Sequence, residues 1–187
     1  MNRRHHLKRI VSAFALFGVA FSAVPFIRSF KPGPWGASDF DLEVDISKLK
    51  PEKPIITDWF GTPIAIFRRT SSELEQLTSK NENLADPYSA ESKQPFEAVN
   101  IFRSIKPEIM VLVPQCTHLG CQVKQIEKDN PAMVKNWAGG FQCPCHGSNF
   151  DMAGRVYKSM PAPTNLTIPP HKYISEDKIL FSLTLLS

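Results

Sequence analysis

The first 38 residues contain no aspartate or glutamate. Six basic residues lie there (Arg3, Arg4, Lys8, Arg9, Arg28 and Lys31), while the rest of the chain holds 16 Lys/Arg against 18 Asp/Glu. The overall charge of +4 therefore belongs to the N-terminal segment, and the body is mildly acidic. A body with no basic patch argues against a nucleic-acid partner. Cysteine is scarce too, with four in 187 residues, all between positions 116 and 145. That clustering says more than the count and points to one site. No internal repeat is visible, and no general acid or nucleophile stands out away from those cysteines.

What the N-terminus has instead is an uncharged run of 18 residues, Ile10 to Ile27. As a helix it spans about 27 Å at ~1.5 Å per residue. That is enough to cross a hydrocarbon core of about 30 Å. Arg3, Arg4, Lys8 and Arg9 precede the run, so the positive-inside rule keeps the N-terminus in the cytoplasm and carries the body across. Residues 2–8 (NRRHHLK) resemble a twin-arginine export signal, although His6 stands where a bulky apolar residue is usual. The alternative is a cleaved signal peptide, for which Ser22 and Ala23 supply small residues. Residues 30–38 (FKPGPWGAS) hold two Pro and two Gly and read as a linker, either a passive spacer or a hinge for the following domain.

The body reads as mainly β. Residues 40–46 alternate apolar and polar. Segments 55–60 and 63–68 flank Gly61-Thr62 as a hairpin. Residues 110–114 form a short buried strand leading into the first cysteine, and 149–157 a second hairpin around Ala153-Gly154. Residues 172–175 and 178–186 close the domain as strands. Residues 71–80 predict a helix capped by serine, and 81–108 a loop with a short helix.

Two motifs carry the chemistry: Cys116-Thr-His118-Leu-Gly-Cys121 and Cys143-Pro-Cys145-His146-Gly-Ser148. Each places cysteine and histidine in one short loop, and 21 residues separate them, enough for strands between. Six candidate ligands suit zinc or an iron–sulfur cluster. Two disulfides are a third arrangement, but they leave the two histidines unexplained. A Cys-x-His loop paired with a Cys-x-x-His loop is the spacing of a Rieske centre, in which two histidines replace two cysteines on one iron of a 2Fe-2S cluster. Two ferric ions, two sulfides and two thiolates carry no net formal charge, whereas four thiolates leave two negative charges. The neutral cluster accepts an electron more readily, and its reduction favours proton uptake on the free imidazole nitrogens. A centre that takes one electron and one proton suits oxidation of a hydroquinone.

These motifs, with Pro161-Ala-Pro-Thr-Asn-Leu166, the 102–108 stretch, the anchor and the linker, resemble the Rieske subunit of cytochrome bc complexes, the quinol–cytochrome c oxidoreductases, over nearly the whole chain. The resemblance implies an antiparallel Rieske-type β domain (39–187) with an inserted cluster-binding subdomain at about 113–165. An N-terminal transmembrane segment (1–29) and a hinge (30–38) precede it. It implies Cys116 and Cys143 on the inner iron, and His118 and His146 on the exposed outer iron, where both act in catalysis. Cys121 and Cys145 pair as a disulfide, which requires an oxidising compartment. Leu119, Gly120 and Pro161 shield the cluster; Ser148 bonds a bridging sulfide. The family usually places tyrosine where this chain has Phe150, and that tyrosine donates to a cysteine sulfur, so Phe150 implies a lowered reduction potential. The implied partners are a cytochrome b subunit, a c-type cytochrome subunit, quinol (ubiquinol) and the bacterial inner membrane. The complex would be dimeric, part of a respiratory chain, with a periplasmic head on a single-pass anchor. Competing readings are a Rieske subunit of a periplasmic enzyme such as an arsenite oxidase, a soluble Rieske ferredoxin and a zinc module. The anchor and PAPTNL disfavour the first, and the extra cysteine pair and anchor the second.

Overall fold

The computed structural model describes residues 3–29, 40–51, 53–79, 82–131, 133 and 137–186. The chain divides into two compact units, Met1–Asp39 and Phe40–Ser187. The first consists of helix α1, Arg3–Ser29, with Pro25 inside it. It extends beyond the apolar run at both ends, because the basic flank has no helix breaker. It is long and apolar enough to cross a membrane. Residues 30–38, the expected linker, lie outside the described residues.

The second unit is built from three antiparallel three-stranded sheets. The middle sheet joins β2 (Ile55–Trp59), β3 (Thr62–Arg68) and β4 (Ile109–Leu112). The predicted hairpin forms with its turn at Phe60-Gly61 rather than Gly61-Thr62, because Thr62 pairs with Trp59 and Asp58 accepts from the Gly61 amide at 2.8 Å. Side chains alternate across a strand, and in β3 and β4 both faces are buried. Ile64, Ile66, Ile109, Val111 and Val113 pack into one core with Val44, Ile46, Trp59, Ile179 and Phe181. Ala65, Phe67, Met110 and Leu112 pack into the other with Phe141, Phe150, Val156 and Leu166. The first core lies under the sheet of β1 (Leu42–Asp45), β9 (Lys178–Phe181) and β8 (His171–Ser175). The second lies under the sheet of β5 (Lys124–Ile126), β6 (Gly140–Gln142) and β7 (Asn149–Phe150).

Three local expectations are corrected. Helix α2, Ser71–Ser79, is capped by Thr70 rather than by a serine. The Thr70 amide donates to Glu73 Oε2 at 2.7 Å and the Glu73 amide to Thr70 Oγ1 at 3.3 Å, a reciprocal capping box that needs a spacing of three. The last strand stops at Phe181; Leu183–Leu186 turns into a 3-10 helix, with Ser182 Oγ accepting from the Thr184 amide. The second hairpin shrinks to β7 and a single bridge, Phe150 to Val156, because Asp151 binds the turn amides of Ala153 and Arg155. The 81–108 segment has its short helix, a 3-10 turn at Phe96–Ala98.

Candidate metal centre

Both motifs sit at one end of the β5–β6–β7 sheet, in loops with the same backbone pattern. In the first, the Cys116 amide donates to the Cys121 carbonyl at 2.8 Å, and the Gly120 amide to the Cys116 carbonyl at 2.9 Å. In the second, the Cys143 amide donates to the Ser148 carbonyl at 2.8 Å, and the Gly147 amide to the Cys143 carbonyl at 3.0 Å. Each loop closes over five residues through a glycine at positive φ, Gly120 at 77° and Gly147 at 75°, where a side chain is strained. The loops are therefore equivalent in backbone and differ in what they display. His118 is the third residue of its loop and His146 the fourth of the other.

Cys116 and Cys143 are buried free thiols at the loop bases. Cys121 and Cys145 form a disulfide across a sequence separation of 24 and join the two loops. The Cys143 sulfur lies within 4.8 Å of both disulfide sulfurs. His118 and His146 are exposed, with ring centroids 5.0 Å apart and planes at 79°. Burial pushes the Cys116 thiol pKa up, and the Cys143 thiol adds to this; the His118 amide and the Ser148 hydroxyl pull it down. A thiol held protonated in this way must release its proton to bind metal.

The remaining predicted residues group around these. Leu119 is 70% exposed at the loop tip beside His118. Ser148 is fully buried, and its Oγ accepts from the Ala162 amide at 3.0 Å. Phe150 is fully buried in the core rather than at the loop surface. In the proline-rich segment Pro161 and Pro163 are exposed, and the residue that points inward is Ala162.

Several contributors were not singled out by motif reading. Thr117, between two candidate ligands, donates from Oγ1 to the Thr164 carbonyl at 2.7 Å. Asp151 pairs with Arg155 at 2.7 Å, both buried. Arg69 and Arg103 are buried behind the second loop and bond carbonyls of Met152, Ala153 and Gly154. Burial lowers the pKa of each arginine to about 10, so both stay charged at neutral pH. Gly154 in the turn was visible in the sequence, but only the fold brings Arg69, Arg103 and Arg155 to that turn.

Two buried thiols, two exposed imidazoles and a second cysteine pair already spent on a disulfide make a donor set of two sulfurs and two nitrogens. That set fits a cluster in which one iron takes cysteine and the other histidine. The chain belongs to the Rieske [2Fe-2S] domain family, which it matches over residues 42–170. Its cofactor is a Rieske-type 2Fe-2S cluster, and its role is electron transfer. Three bacterial relatives, each named ubiquinol-cytochrome c reductase iron-sulfur subunit, are similar over nearly the full length. The protein of Allochromatium vinosum is 41% identical over 95% of this chain and 87% of its own. That of Blastochloris viridis is 36% identical over 95% and 90%. That of Bradyrhizobium diazoefficiens is 34% identical over 95% and 92%.

Proposed function

We propose that this chain is the redox subunit of a quinol–cytochrome c oxidoreductase in a bacterial respiratory chain, oxidising ubiquinol beside a cytochrome b subunit and passing electrons to a c-type cytochrome subunit. The observation that carries this is the pairing of two exposed imidazoles with two buried thiols beneath disulfide-tied loops. Cys116 and Cys143 would hold one iron of the cluster, and His118 and His146 the other. The cluster, when bound, supplies storage for a single electron. The chain's own residues do the rest. His118 and His146 present their outer ring nitrogens to solvent, where one accepts the proton of a quinol hydroxyl. Leu119 offers an apolar surface to the quinol ring beside them. Ser148 directs its hydroxyl toward sulfur, and the Pro161–Pro163 segment excludes water from the thiol side.

Helix α1 anchors the chain in the membrane, with Arg3, Arg4, Lys8 and Arg9 holding its start in the cytoplasm. The head then lies in the periplasm, where the Cys121–Cys145 disulfide is stable. The complex that the chain joins is dimeric. The test is co-purification from membranes with an assay of quinol:cytochrome c activity. The expected result is a complex containing a b-type and a c-type cytochrome, whose activity is lost on deletion of this chain. Activity that survives the deletion would reject the reading.

A further inference from the structure

Asn165 is 1% exposed, lies in the segment 161–166, and is bonded on every side. Its Oδ1 accepts from the Val156 amide at 2.8 Å. Its Nδ2 donates to the Asp86 carbonyl at 2.9 Å and to Ser89 Oγ at 3.0 Å, and its own amide donates to Ser92 Oγ at 3.2 Å. The acceptors come from a loop that Asp86 organises around its carboxylate, which receives Ala90 N, Glu91 N and Ser92 Oγ. The same loop continues the circuit. Gln94 Nε2 donates to the Ser89 carbonyl, Arg103 Nε donates to Gln94 Oε1, and Arg103 Nη1 donates to the Gly154 carbonyl, which also accepts from the Leu166 amide. The ring of bonds runs from Asn165 through the 86–94 loop and Arg103 and closes at Leu166.

Two further bonds connect this ring to the metal loops. Thr117 Oγ1 holds the Thr164 carbonyl, and the Ala162 amide donates to Ser148 Oγ. A hydroxyl has one proton. With the Ala162 amide occupying one lone pair, the Ser148 proton is left to point elsewhere, and the Ser148 hydroxyl is among the groups that draw the Cys116 thiol pKa down. Buried polar groups hold one arrangement where they are paired, and both polar atoms of the Asn165 side chain are.

The geometry points to Asn165, with the 86–92 loop, as a positioning residue for the redox centre: it fixes segment 161–166 so that the Ala162 amide orients the Ser148 hydroxyl toward sulfur. This rests on the assignment of Cys116 as a ligand made above. Hydrogen bonds to the sulfurs help set the potential of such a cluster, so Asn165 acts on the potential from the far side of the segment without touching the sulfurs.

The test uses the full-length holoprotein and two readouts, the midpoint potential by redox titration and amide hydrogen exchange at Ala162. Asn165→Asp keeps the shape, removes both Nδ2 donors and sets a carboxylate against Asp86. It is expected to speed Ala162 exchange about tenfold and to make reduction about fivefold less favourable, in the direction of Ser148→Ala. Interacting residues give non-additive effects, so the double variant should shift no further than Ser148→Ala alone. Ser92→Ala, which removes one acceptor and one donor from the loop, gives the same pattern at smaller size if Asn165→Asp loads no cluster. Additive shifts, or an unmoved potential in a variant whose Ala162 exchange has risen, overturn the inference. No shift in Ser148→Ala itself would overturn the ligand assignment beneath it, and this inference with it.

Discussion

At Phe150 the chain departs from the family's usual tyrosine, and the structure buries that ring fully in the core behind the second loop. A hydrogen bond to a charged sulfur is worth on the order of 1 kcal/mol or somewhat more, and about 59 mV corresponds to ~1.4 kcal/mol for one electron. Phe150→Tyr is therefore expected to raise the midpoint potential by several tens of millivolts; a redox titration with no rise would contradict this. His171 presents a different case. It is buried between Phe181 and Tyr173, with Nδ1 at 2.8 Å from the Pro169 carbonyl. Burial pushes its pKa below the ordinary 6.5. The unfolded imidazole takes a proton near pH ~6.5 and the folded one only at lower pH. The stability it contributes is present above that value and is lost as the pH falls through the lowered folded one. His171→Phe should thus flatten the fall in urea midpoint between about pH 7.5 and about pH 5.5. The two loops that carry His118 and His146 were legible because each is written in a spacing of a few positions. The burial of His171 and of Arg103 was not, because it depends on elements distant in sequence.

Among the secondary-structure elements, β6 and β7 position the second loop, and they meet at one tight contact. Gly140 has φ of 152°, and a Cβ there would lie 2.1 Å from the Phe150 carbonyl oxygen and 3.0 Å from Asp151 Cα. Both obstacles are backbone, so the pair must separate. Gly140→Ala is expected to cost more than the ~3 kcal/mol usual for point substitutions and to lower cluster content, read from visible absorption of the purified protein. At helix α2 the box of Thr70 and Glu73 predicts a gentler loss, about 1 kcal/mol for Thr70→Ala by urea denaturation. The hairpin at Gly61 and the alternation in β1 were readable because turn chemistry and period 2 are local signals. Segment 81–108 reads as a polar loop with a short helix. Its described part, from residue 82 on, is packed and bonded, with Ala98, Arg103 and Ser104 buried. Its order comes from side chains bonding main-chain groups, which leaves no periodicity to read.

Across the whole molecule, two cores meet at the middle sheet, and the metal loops stand on one of them alone. Cys116 and Cys143 belong to that core, together with Leu112 and Phe141. The disulfide is the covalent tie between the two loops, and a bridge of this kind commonly contributes about 2–4 kcal/mol. Replacing Cys121 and Cys145 together by alanine is expected to leave the β1–β9–β8 side folded while the loops lose their hold on the cluster. Circular dichroism and iron content would separate the two effects. The proposed ligands of the 2Fe-2S cluster are two cysteines and two histidines. Electron paramagnetic resonance of the reduced protein, grown with nitrogen-15 histidine, reads these ligands at the iron. The expected result is a rhombic signal with two histidine nitrogen couplings in the native chain and loss of one of them, or of the cluster, in His118→Ala and in His146→Ala. A signal without histidine coupling, or a fully metallated protein that gives no reduced signal, would contradict it.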